Sequence, residues 1–126
     1  MYQEILEDYK RLTDDNPTFA FSLMQKATAY KDYIGEQMTE AHKVETDLKN
    51  TAEAIKSKIS IEYAPGKPTE GARFAAKEEK YLDALQDYTN ARKMYEYLEI
   101  QYKILGDVAF QSYTIWNNAS KTLGGK

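Results

Sequence analysis

Apolar positions recur along this chain at steps of three and four. From Pro17 to about Ile61 they are Ala20, Met24, Ala27, Tyr30, Ile34, Met38, Ala41, Val44, Leu48, Ala52, Ile55 and Ile59. That spacing lines one face of a helix through several heptads. Lys31, Asp32, Glu36, Glu40, Lys43, Asp47 and Lys49 fall on the other side. About 45 residues at 1.5 Å each predict a helix of roughly 65–70 Å. Gly35, which costs about 1 kcal/mol against alanine in a helix, is a candidate bend.

A second stripe follows in Phe74, Tyr81, Leu85, Tyr88, Tyr95, Leu98, Tyr102 and Leu105, widened by Ala84, Ala91 and Met94. It predicts a helix from Glu70 to near Leu105. Two shorter patterns flank the pair. Ile5, Leu6, Tyr9 and Leu12 predict an amphipathic helix within residues 1–13. Val108, Phe110, Tyr113, Ile115 and Trp116 predict a last helix over 107–121, after a candidate break at Gly106-Asp107. The tail from Leu123 to Lys126 is expected to fray.

The punctuation agrees with this plan. Asn16 is a natural N-cap, and Pro17 stands at the first helical position, where proline is best tolerated. Pro65 and Pro68 lack backbone donors and push the preceding residue out of the helical region, and Gly66 tolerates positive φ. A bend is therefore expected at 62–69, with Thr69 as the N-cap of the next helix. The expected fold is a single all-α domain over residues 1–126. At its centre is a long antiparallel helical hairpin, about 17–61 and 70–105, between short N- and C-terminal helices. Register counted from the bend places Ile59 near Phe74, Ile55 near Glu78 or Leu82, and Leu48 near Leu85. Two helices cannot cover stripes this wide. The last helix must fold back or meet other chains, so a homo-oligomer is expected, with Leu98, Tyr102, Leu105, Val108, Ile115 and Trp116 at its interface.

Composition narrows the functions. The chain has 126 residues, no cysteine, a formal net charge of −3, and eleven tyrosines. Absent thiols exclude disulfides and thiolate metal sites, and agree with a reducing cytoplasmic compartment. There is no run of about eighteen apolar residues that would span a membrane, and the N-terminus lacks the basic and apolar regions of a signal peptide. The mean hydropathy of −0.72 accompanies a tyrosine content suited to shared surfaces. Charge is unevenly placed. Residues 1–15 hold five acids against Lys10 and Arg11, whereas Lys49 to Lys80 hold seven bases against five acids.

No catalytic constellation is visible. His42 with Glu45 is one His–carboxylate pair, too little to specify a metal, and reads as a solvated histidine. Adjacent acids such as Glu78-Glu79 diverge on a helix, and Gly66-Lys67 lacks the first glycine of a phosphate loop. No metal, cofactor or catalytic residue is expected. The tyrosines at helical spacing read as packing residues. Tyr63 is different, because it stands at the bend among lysines. It either contacts a single-stranded nucleic acid through its ring or caps the hairpin end. Lys49, Lys56, Lys58, Lys67, Arg73 and Lys77 are the cations that would accompany it.

The stretch from Ala54 to Asn117 resembles the UvsY-type recombination mediators of tailed bacteriophages. The matching residues are Lys56-Ser-Lys58, then Tyr63, Gly66 and Lys67, then the tyrosine-rich Tyr95-Glu-Tyr-Leu-Glu-Ile-Gln-Tyr102 and a short terminal helix. Where that family has adjacent tyrosines this chain has a single Tyr63, and two prolines enter the turn. The resemblance implies a non-enzymatic, ring-like homo-oligomer that binds single-stranded DNA in the host cytoplasm. It would help a strand-exchange recombinase displace a single-strand-binding protein. The acids from Glu4 to Asp15 point to another class, a protein-binding phage module such as a host-defence inhibitor, assembly chaperone or scaffold, which would meet a basic partner.

Overall fold

The structure, a computed structural model, describes residues 1–124. It contains α1 (Tyr2–Lys10), α2 (Pro17–Tyr63), α3 (Pro68–Ala75) and α4 (Glu79–Gly124). Among the described residues there is no strand, so the fold is all-α with two long helices of 47 and 46 residues. None of the helices is long and apolar enough to cross a membrane. The start of α2 is the predicted one. The Asn16 side-chain oxygen accepts the Phe19 N–H at 3.1 Å, and Pro17 opens the helix.

The chain divides into two compact units. The first joins Met1–Gln37 to the part of α4 from Leu98 onward. Its core is Ile5 from α1, Ala20, Leu23, Ala27 and Ile34 from α2, and Leu105 and Val108 from α4, all buried. At nine residues α1 is too short to persist alone. Contacts with α2 hold it in place. Asp8 accepts a 3.1 Å bond from Lys26, Tyr2 meets Tyr30 at 6.4 Å between ring centroids, and Ile5 between them has no exposed surface. α1 therefore runs antiparallel to the start of α2.

The end of α4 also lies on the start of α2. Trp116 packs on Phe21 at 5.1 Å and on Tyr113 at 6.1 Å. This alters the expected oligomer interface. Leu105 and Val108 are fully buried inside the chain, and Leu98, Tyr102, Ile115 and Trp116 are half-buried there. The stripe is covered at least in part from within, by the start of α2: Phe21 lies on Trp116 and Lys31 on Tyr102.

Neither Gly35 nor Gly106 interrupts its helix, and there is no separate C-terminal helix at 107–121. Each glycine lies beside a neighbour from the other long helix. A Cβ at Gly35 would stand 3.4 Å from the Tyr102 ring, and one at Gly106 would stand 3.6 Å from the Lys31 stem. Lys31 itself lies over the Tyr102 ring, 4.7 Å from its centroid. A 3.6 Å approach is ordinary contact, so alanine fits at 106. Gly106→Ala is expected to stabilise the protein by about 0.5–1 kcal/mol through helix propensity, read as a higher urea midpoint. Of the tail expected to fray, the helix includes Leu123 and Gly124, while Gly125 and Lys126 lie outside the described residues.

The second unit, Met38–Tyr97, holds the rest of α2, all of α3 and the start of α4. It buries little beyond Ala52, Gly71 and Ala75, and Val44, Ile61, Leu82 and Met94 stay exposed. The bend is tighter than expected because α2 continues to Tyr63. Lys67 donates its N–H to Ala64 at 3.0 Å, and Gly66 takes φ 76°. Lys67, not Thr69, is the N-cap of α3, because Pro68 takes the favoured first helical position. The register is one turn from the pairings Ile59–Phe74 and Leu48–Leu85 and agrees with Leu82, the second of the two partners read for Ile55. Tyr63, not Ile59, faces Phe74, Lys56 faces Tyr81, and His42 faces Tyr95.

The predicted helix at 70–105 is broken at 76–78. Gly71 brings α3 to glycine-sized separation from α2, with Ser60 backbone 2.6 Å from where a Cβ would stand. α4 instead meets α2 through long side chains such as Tyr81 and Lys56. Interaxial distance follows the side chains at the contact, so the chain must step outward between the two helices. Short turns do this, with Lys77 donating to Phe74 and Glu78 to Ala75 at 3.1 Å each.

Candidate nucleic-acid interface

The end of the second unit carries an aromatic pair. Tyr63 ends α2 and Phe74 sits near the end of α3. Their rings are stacked at 3.7 Å between centroids and 4° between planes. Gly71 makes this contact possible, since only a residue without a side chain lets α3 lie on Ser60. Tyr63 remains 57% exposed, which leaves surface of its ring open to solvent, while Phe74 is half-buried. A cleft of about 300 Å³ opens beside the pair, lined by Tyr63, Glu70, Arg73, Phe74 and Lys77. The turn after α3 places Lys77 four residues beyond Arg73.

Several other cations are engaged elsewhere. Lys56 stands 5.5 Å from the Tyr81 ring centroid, and Lys10 pairs with Glu7 at 3.6 Å. Arg92 donates to the Tyr88 hydroxyl at 3.3 Å and to Glu96 at 3.1 Å. Those two hydrogen bonds, Tyr88 first, hold its guanidinium above the ordinary arginine value. Among the described residues Lys49, Lys58, Lys67, Arg73 and Lys77 have no side-chain partner, and all five are exposed.

The bend thus brings Tyr63, Arg73 and Lys77 to one cleft, with Lys67 exposed at the N-cap of α3. Lys49, Lys56 and Tyr63 are spaced by seven along α2, which puts them on one helical face. Lys58 lies roughly 160° around the axis from Lys56 and does not join that face. Sequence reasoning missed Glu70 and the partnership of Phe74 with Tyr63. The signal for the second was present: Phe74 is the only large apolar residue in α3. His42 is exposed, 3.8 Å from Glu45, as expected of a surface pair. No group of three or more acid or histidine side chains among the described residues could hold a metal ion.

Chemically, this arrangement offers a flat aromatic surface, two unpaired cations and one unpaired carboxylate. No protein-family model, curated protein or solved structure gives a match to the chain.

Proposed function

We propose that this chain is a non-enzymatic single-stranded DNA-binding accessory protein of the kind that assists a strand-exchange recombinase. The observation that supports it is the cleft where Tyr63, stacked on Phe74, meets Arg73 and Lys77. An aromatic face with adjacent cations suits an unpaired base and its phosphates. Phe74 covers one face of Tyr63, so each chain stacks one base on the other. A duplex hides its base faces and gains only the charge contacts.

Arg73 and Lys77 would meet phosphates at the cleft, and the exposed, unpartnered Lys67 and Lys49 would extend the track. With two or three phosphate contacts per chain, affinity is low. Several chains on one strand would raise it through avidity, in keeping with the ring-like assembly that the UvsY resemblance implies.

The test separates the two contributions. Tyr63→Ala is expected to lose about 1–3 kcal/mol of binding and to leave the salt slope nearly unchanged. Arg73→Ala/Lys77→Ala is expected to reduce the slope of log affinity against log salt by about 0.7 per lost phosphate contact. Fluorescence anisotropy with a labelled single strand at several salt concentrations reads both. If the wild-type protein fails to bind at low salt, this reading is wrong and the protein-binding module takes its place.

A further inference from the structure

Glu70 is out of place in a cleft that holds phosphates. It lines the same 300 Å³ as Tyr63, Arg73, Phe74 and Lys77, and it is exposed. Arg73, three residues along the same helix, is well placed to neutralise it, yet the two form no ion pair. The carboxylate therefore faces the ligand space unpaired. A carboxylate at neutral pH accepts hydrogen bonds and donates none. Beside a base stacked on Tyr63 it rewards an amino group and opposes a carbonyl.

We infer that Glu70 selects among the bases that stack on Tyr63, favouring cytosine, which presents an exocyclic amino group, over thymine, which presents a carbonyl oxygen there. This rests on the single-strand reading of the cleft. Cytosine N4 is a donor that Glu or Asp accepts from, whereas thymine O4 is an acceptor. Unpaired bases expose that edge to a protein once they are splayed from a strand. The two pyrimidines are alike in size and carry identical phosphates but differ at N3 and in thymine's 5-methyl as well as at the exocyclic group. The part due to Glu70 is therefore read as the change in preference between the wild type and Glu70→Gln. Glu70 also stands in the first turn of α3, where an acid suits the helix dipole. That role alone would affect folding and leave base preference untouched.

The experiment compares oligo-dC with oligo-dT of about eight nucleotides, within the site sizes of single-strand binders. Anisotropy is measured at low salt and pH 8 for the wild type and for Glu70→Gln, with circular dichroism to confirm the fold. The wild type is expected to bind oligo-dC about fivefold tighter, the lower end of what a good base contact contributes. In Glu70→Gln the preference is expected to vanish, chiefly through tighter oligo-dT binding, because the amide can donate to O4. Equal wild-type affinities for the two strands would overturn the inference alone. So would a preference that survives in the variant while both affinities rise together, since Glu70 would then act only on phosphates. Failure of the wild type to bind either strand would overturn the single-strand reading, and this inference with it.

Discussion

Gly71→Ala is expected to destabilise the second unit by about 1–3 kcal/mol, although alanine is the better helix former. The added methyl would clash with the Ser60 hydroxyl and stand 2.6 Å from its carbonyl oxygen and 3.0 Å from its carbonyl carbon. A hydroxyl can rotate away, but a helical backbone cannot, so α3 must lift off α2. Removing the hydroxyl with Ser60→Gly should therefore give little rescue. Lifting α3 separates Phe74 from Tyr63, and single-strand affinity is expected to fall together with stability. Urea unfolding and anisotropy on the same samples check both. Unchanged stability would mean that α3 is not seated on Ser60.

The second large effect lies in the first unit. Leu105→Ala removes a fully buried side chain between α4 and its neighbours and is expected to cost about 2–5 kcal/mol. The fluorescence of Trp116, the only tryptophan, reports it, because that ring packs on Phe21 within the same unit. The expected result is a lower urea midpoint with the solution mass unchanged. A drop in mass with stability retained would place Leu105 between chains instead.

Most of the helical plan was legible from spacing and punctuation. Ala20, Ala27 and Ile34 lie on the core face of α2 as read, with Leu23 buried beside them where the stripe had Met24, and Asn16-Pro17 starts that helix as read. The glycines were not legible, because a glycine has the same intrinsic helix cost wherever it stands. At 35 and 106 packing by Tyr102 and Lys31 overrides that cost, and at 71 the glycine sets the distance between two helices. The break at 76–78 has no proline or glycine to announce it and follows from the partner surfaces. Register was off by one turn at Ile59 and Leu48, and left open between two turns at Ile55, because the end of α2 depends on how tightly residues 64–67 turn, which propensity does not fix.

The candidate site was half legible. Tyr63, Arg73 and Lys77 could be picked out by composition around the bend, and the structure does bring them together. Lys58 could not be separated from Lys56 by composition alone, yet helical phase turns it away. Phe74 was assigned to a packing stripe, and only the close approach at Gly71 makes it the partner of Tyr63. Leu105 and Val108 read as surface for another chain because the stripe's width was taken to exceed the cover available within the chain, where both are in fact fully buried.

Photocrosslinking tests the central claim most directly. A single strand carrying 5-iododeoxycytidine is irradiated with the wild-type protein at low salt, and the crosslinked peptides are identified by mass spectrometry. A base stacked beside an aromatic ring reacts with that ring, so the adduct is expected on Tyr63 or Phe74 and is expected to vanish in Tyr63→Ala. Adducts confined to residues away from the bend, or none at all, would contradict the account.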